Sequence, residues 1–181
     1  MARYGKFVFK LLELLVNDFY LALPRSREEK RKFHLESERI WREIDRKCLF
    51  SVLRRLRLEG AVNSIQEKDN LERIIITDKG KARFLEYQFS NLKLKKSKKW
   101  DGRWRIVLFD VPEIKKKIRD ALRRKLKTLG FVEFQKSVFI HPYSCEDEVN
   151  FVINFFGIYE NVYYIESTIT PDDKFRKHFR L

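Results

Sequence analysis

The sequence predicts an α+β chain of two units, an N-terminal winged helix-turn-helix followed by a ferredoxin-like βαββαβ domain. Three observations carry this. Residues 1–92 order as helices, a hairpin and a helix; residues 100–167 order as β-α-β-β-α-β; and the stretch between them, NLKLKKSKK at 91–99, is polar and lysine-rich without an apolar period. The expected division is a winged-helix unit at 1–92, a basic linker at 93–99, a ferredoxin-like unit at 100–167 and a basic tail at 168–181, free to join an interface or to stay mobile.

In the first unit, Phe7, Leu11, Leu14 and Leu15 recur at helical spacing and predict a core helix over 4–23, ended before Pro24. A charged connection at 25–32 leads to a second helical segment marked by Phe33, Leu35, Ile40, Trp41 and Ile44. Leu49, Val52, Leu53 and Leu56 then fall at i, i+3, i+4 and i+7, a third helix over 46–59 that Asp45 can cap and Gly60 can close. Two β-like runs, 62–66 and 72–77, flank a polar tip at Lys68, Asp69 and Asn70. Thr77 caps a last helix, with Ala82, Phe84, Leu85 and Phe89 as its apolar positions.

In the second unit WRIVLF, 104–109, reads as a buried strand ending at Asp110, and Pro112 fits the turn that follows. Ile118, Ala121, Leu122, Leu126 and Leu129 form the inner face of a helix that Gly130 stops, and its outer side is basic. Strands at 131–134 and 137–141, a helix capped by Ser144 with Val149, Val152, Ile153 and Phe156 aligned, and a strand at 162–165 complete the order.

Charge points to the partner. Forty Lys and Arg stand against 26 Asp and Glu, a net charge of +14, and a surplus of that size selects polyanions, nucleic acid foremost. Residues 1–99 hold 25 basic and 14 acidic side chains, whereas 100–181 hold 15 and 12, so the field belongs mainly to the first unit. No apolar run approaches the roughly 20 residues of a membrane span, and the N-terminal stretch is interrupted by Glu13 and Asp18 without a cleavage site, so a cytoplasmic, non-membrane protein is expected. Cys48 and Cys145 lack metal-ligand spacing and read as core thiols.

In a winged helix the third helix enters the major groove, about 12 Å wide, of double-stranded DNA. Arg46, Lys47, Ser51, Arg54, Arg55 and Arg57 are its candidate contacts, with Lys68 and Arg73 on the wing. DNA binding of this kind requires no cofactor. The competing reading is a merely solvated charged face or a protein-binding module, and the surplus of positive charge favours DNA.

WRIVLFDVP, then Arg119, Leu122, Gly130 and Phe131, then FQKSVFIHP resemble the CRISPR-associated adaptation endonuclease of the Cas two family, and equally the middle domain of the phenylacetate-degradation repressor (PaaX) family. The repressor resemblance accounts for both units, since that domain follows a winged helix there; it implies a dimeric transcriptional repressor. The sequence as read to Leu181 is expected to be without the additional C-terminal domain that full-length repressors carry, so acyl-CoA effector binding is not carried over. The endonuclease resemblance implies that Asp110 holds Mg or Mn near a dimer axis and takes part in phosphodiester cleavage, and it raises a CRISPR adaptation partner. One carboxylate per subunit is a thin ligand set, however, and the residues themselves favour Asp110 as a helix cap or a partner for Arg119. Gln135 and Ser137 are read as satisfying backbone groups at a strand crossing, and His141 as a loop residue rather than a general base. Unpaired strand edges and both resemblances imply a homodimer.

Overall fold

The computed structural model describes residues 3–18, 21–24, 46–68, 71–95 and 99–181. The connection at 25–32, the helical segment at 33–44, the Asp45 cap, the wing-tip residues Asp69 and Asn70 and residues 96–98 of the linker lie outside the described residues. The chain divides into two compact units, Met1–Gln88 and Phe89–Leu181. The division falls a few residues before the expected 92/93, because Phe89, Leu92 and Leu94 pack against the second core.

In the first unit α1 (Arg3–Val16) buries Leu11, Leu12 and Leu15. It ends well short of Pro24, with Asp18 in the left-handed region at φ 55°. Residues 22–24 instead form a strand, β1 (Ala22–Pro24), that buries Leu23. Two properties of proline explain the change: it drives the residue before it toward extended backbone, and its missing N–H is harmless on an edge strand.

The next described helix, α2 (Arg46–Leu58), sets Leu49, Val52, Leu53 and Leu56 into the core with Leu11 and Ile74. Gly60, at φ 70°, turns the chain out of α2 into β2 (Val62–Gln66) and β3 (Leu71–Ile76). β3 lies between β1 and β2, antiparallel to both. Among the described residues the order is helix, strand, helix, hairpin, helix, with β2 and β3 in the place of a wing.

Thr77 starts α3 (Asp78–Asn91) as expected: Gly80 N–H donates to its Oγ1 at 3.1 Å, and its hydroxyl donates to Gly60 O at 2.7 Å. Of the apolar positions expected inside α3, Phe84 is buried whereas Ala82 and Leu85 are exposed. Close packing falls to Gly80, where a Cβ would meet Ala61 O at 2.1 Å and Ile76 Cγ1 at 2.7 Å.

The second unit runs β4 (Trp104–Phe109), a 3-10 turn (Glu113–Lys115), α4 (Lys116–Leu129), β5 (Val132–Gln135), β6 (Val138–His141), α5 (Glu146–Phe156), β7 (Val162–Ser167) and α6 (Asp173–Phe179). The sheet order is β5-β6-β4-β7 with every neighbouring pair antiparallel, the ferredoxin-like arrangement. Alternation along β4 separates two cores. Val107 and Phe109 meet Leu122, Leu126, Val149 and Val152 of α4 and α5, while Trp104 joins Ile140 and Phe175.

The tail expected beyond 167 is therefore part of the domain. Phe175 of α6 is buried, and Trp104 Nε1 donates to Asp172 Oδ2 at 3.0 Å. Ser144 is not the cap of α5: Cys145 holds that position without a side-chain bond, and Glu146, Asp147 and Glu148 complement the dipole of the first turn. Cys145 is buried as expected, its thiol pushed up to about 12 mainly by desolvation, whereas Cys48 is only half-buried.

Candidate nucleic-acid interface

With Leu49, Val52, Leu53 and Leu56 turned inward, helical periodicity puts Ser51, Arg54, Arg55 and Leu58 on the outer stripe of α2, and all four are exposed. Arg54 has no hydrogen-bond or ion-pair partner among the described residues. Arg55 Nε donates to Glu59 Oε1 at 2.8 Å, and Glu59 also pairs with Arg83 of α3. An ion pair this exposed contributes only about 0–1 kcal/mol, so Arg55 can leave it for a phosphate at little cost. Ser51 Oγ donates to Cys48 O at 2.9 Å, which leaves its oxygen able to accept. Arg46 and Lys47 open the helix, but their side chains lie outside the described residues.

The other candidates are placed differently. Arg57 is half-buried, its Nη2 lying 2.9 Å from Glu72 Oε1, and so ties α2 to β3 of the hairpin. Arg73 is half-buried on the central strand and engaged within the protein. Lys68 is exposed at the end of the hairpin. The structure thus brings Ser51, Arg54 and Arg55 onto one face and sets Arg57 and Arg73 apart from it.

Asp110 follows β4 and is exposed. Its N–H donates to Asn161 O at 2.9 Å, while its carboxylate makes no hydrogen bond or ion pair among the described residues. The expected capping and Arg119 roles go elsewhere. Pro112 and Lys115 hold the N-cap positions without side-chain bonds, and Arg119 Nη2 pairs with Glu113 Oε2 at 2.8 Å, holding the Glu113 carboxyl below its ordinary value. The register of turn and helix explains this: Glu113 and Arg119 face each other across the start of α4, and Asp110 stops short of it. Among the described residues no three His, Cys, Asp or Glu gather into a metal-binding group, so the described side chains of one chain do not by themselves fit Mg²⁺.

His141 is not a loop residue. It ends β6 and is buried among Phe131, Tyr143 and Phe179, with the Tyr143 N–H donating to its Nδ1 at 3.2 Å. Burial holds its pKa below the ordinary value.

Sequence reasoning missed two buried cations. Arg105, 5% exposed, donates to Asp101 Oδ1 and Oδ2 at 2.6 and 2.7 Å, to Glu166 Oε1 at 3.1 Å and to the carbonyls of Arg103 and Pro142. The Asp101 bonds raise the Arg105 pKa and hold the Asp101 carboxyl far below the carboxylate range. A lone Arg within WRIVLF with an Asp four residues earlier was the available signal, since a buried charge demands a partner. Lys125 points inward from α4, donates to Phe89 O and lies 4.4 Å from the Phe89 ring centroid; desolvation lowers its pKa.

An exposed cationic helix ahead of a β-hairpin, followed by a four-stranded antiparallel sheet with α4 and α5 packed on one face, defines a two-domain α+β protein of winged-helix and ferredoxin-like parts. Residues 97–178, most of the second unit, match the family model of the PaaX protein central Cas2-like domain. The match includes α6, in keeping with its place in the core. No curated protein matches the chain. Among the described residues no helix is long and apolar enough to cross a membrane.

Proposed function

We propose that the chain is a DNA-binding transcriptional regulator of the repressor type, acting as a homodimer that holds duplex DNA with α2 and the wing. The observation that carries this is the outer stripe of α2, where Arg54 and Arg55 stand exposed beside Ser51 on a helix fixed by a buried apolar row. PaaX-family proteins are transcriptional repressors, which supports the regulatory role. Arginine there donates to guanine edges or phosphates, and binding needs no cofactor. β5 and β7 are edge strands, and β7 exposes Tyr163 and Ile165, so pairing of second units is the route to a dimer that offers two groove helices to one duplex.

Fluorescence anisotropy at fixed salt tests the reading. Arg54→Ala with Arg55→Ala is expected to weaken duplex binding at least tenfold while the circular dichroism spectrum and the dimer persist. Unaltered affinity contradicts it.

The open carboxylate of Asp110 favours one second reading, a Mg- or Mn-dependent endonuclease that completes its metal site from two subunits, acting with a CRISPR adaptation partner. Cleavage of DNA or RNA that requires the metal and disappears in Asp110→Asn supports it; a wild-type protein that cleaves neither removes it.

A further inference from the structure

Residues 100–181 hold 15 basic and 12 acidic side chains, and these charges are segregated. α4 carries seven cations and one acid, Asp120, in 14 residues, whereas α5 opens on Glu146, Asp147 and Glu148. Partner contacts divide the α4 cations into committed and available groups. Lys125 is buried, Arg119 belongs to Glu113, and Arg123 donates to the Lys136 carbonyl. Lys117 and Arg124 are exposed with no partner among the described residues, and Lys116 reaches Glu113 only at 3.6 Å. Lys127 sits 2.6 Å from Glu133 in an exposed pair. The Arg123 contact also brings the β5–β6 turn, with exposed Lys136, beside the helix. Asp120 lies three or four positions from Lys116, Lys117, Arg123 and Arg124, an acid ringed by cations.

We propose that the outer face of α4 is a second nucleic-acid contact, one that grips the sugar-phosphate backbone of a duplex without reading its sequence. Lys117 and Arg124 are seven residues apart, about 10.5 Å along one side of the helix, and point charges so spaced serve phosphates rather than base edges. The outer face has no aromatic side chain on which an unpaired base could stack, so a duplex fits it better than a single strand. A lipid surface fits less well, because interfacial helices bury an apolar stripe, whereas the exposed residues of α4 are charged or polar and the exposed apolar Ile114 stands in the turn before it.

Anisotropy of the whole chain with a random-sequence duplex, taken across a salt series, tests the inference. Lys117→Gln with Arg124→Gln is expected to weaken binding several-fold for every sequence alike and to lower the slope of log affinity against log salt by about 1 to 2. Asp120→Asn is expected to tighten binding at low salt. Unchanged affinities and slopes in both variants overturn the proposal, as does a protein that binds no duplex. Loss of binding to phosphatidylserine vesicles with duplex binding intact also overturns it. Arg54→Ala in the same series separates this inference from the winged-helix reading: affinity lost only there sinks the α4 contact, and affinity lost only in the α4 variants sinks the α2 contact.

Discussion

Arg54 on α2 and Arg105 on β4 are the same residue type with opposite fates. Arg105 is held by two carboxylates and two carbonyls, and each of its three nitrogens donates within the fold. Arg54 stands in solvent beside a row of exposed polar neighbours. Net charge counts both alike; only the partner accounting shows which charge is available to another molecule. The outer stripe of α2 is thus a surface held ready by its scaffold, whereas the end of β4 is scaffold.

That contrast is open to attack through the support of each region. Gly80→Ala removes the close approach of α3 to Ala61 and Ile76, on which the first unit depends, and is expected to cost about 3 kcal/mol or more in denaturant unfolding, since a Cβ there collides with backbone. Stability close to wild type shows that α3 can shift and that the α2 platform is less rigid than argued.

Arg105→Ala is expected to cost about 2–3 kcal/mol, discounted because Asp101 and Glu166 are partly exposed and regain water. A loss below about 0.5 kcal/mol makes Arg105 as dispensable as a surface arginine and erases the distinction.

His141 sharpens the buried side of the comparison. Its folded pKa lies below the unfolded value of about 6.5, so its contribution to stability is complete above that pH and is lost as pH falls through the folded value. The thermal midpoint is expected to drop between pH 7.5 and 5.5, and more steeply in wild type than in His141→Asn. Parallel profiles remove His141 from the account.

The smallest effect is expected from Arg54→Ala, within about 0.5 kcal/mol of wild type in stability, because nothing among the described residues leans on that side chain. A larger loss means that Arg54 is structural.

Much of this was legible in the sequence wherever one physical requirement dominated. The row Leu49, Val52, Leu53 and Leu56 admits one inward face, and WRIVLF, bounded by a turn, has one reading as a strand. Gly60 and Gly130 were recognisable as helix stops because both sit at positive φ. What escaped depended on a partner distant in sequence. Leu21 and Leu23 suit a helix as well as a strand until β3 pairs with Ala22. Phe175 became core only because Trp104 lay open on the far face of the sheet. The face of α2 could be predicted, but the commitment of Arg57 to Glu72 could not, since a charge pattern does not reveal which carboxylate is near.

The most direct measurement is a titration of a duplex into ¹⁵N-labelled protein at about 0.1 M salt, where the Debye length of about 10 Å leaves only close contacts. The account predicts that the amides of Ser51–Leu58 and Lys68 shift strongly, while those around Arg105 and His141 stay in place. Binding that leaves the α2 amides unmoved, or no binding at that ionic strength, contradicts it.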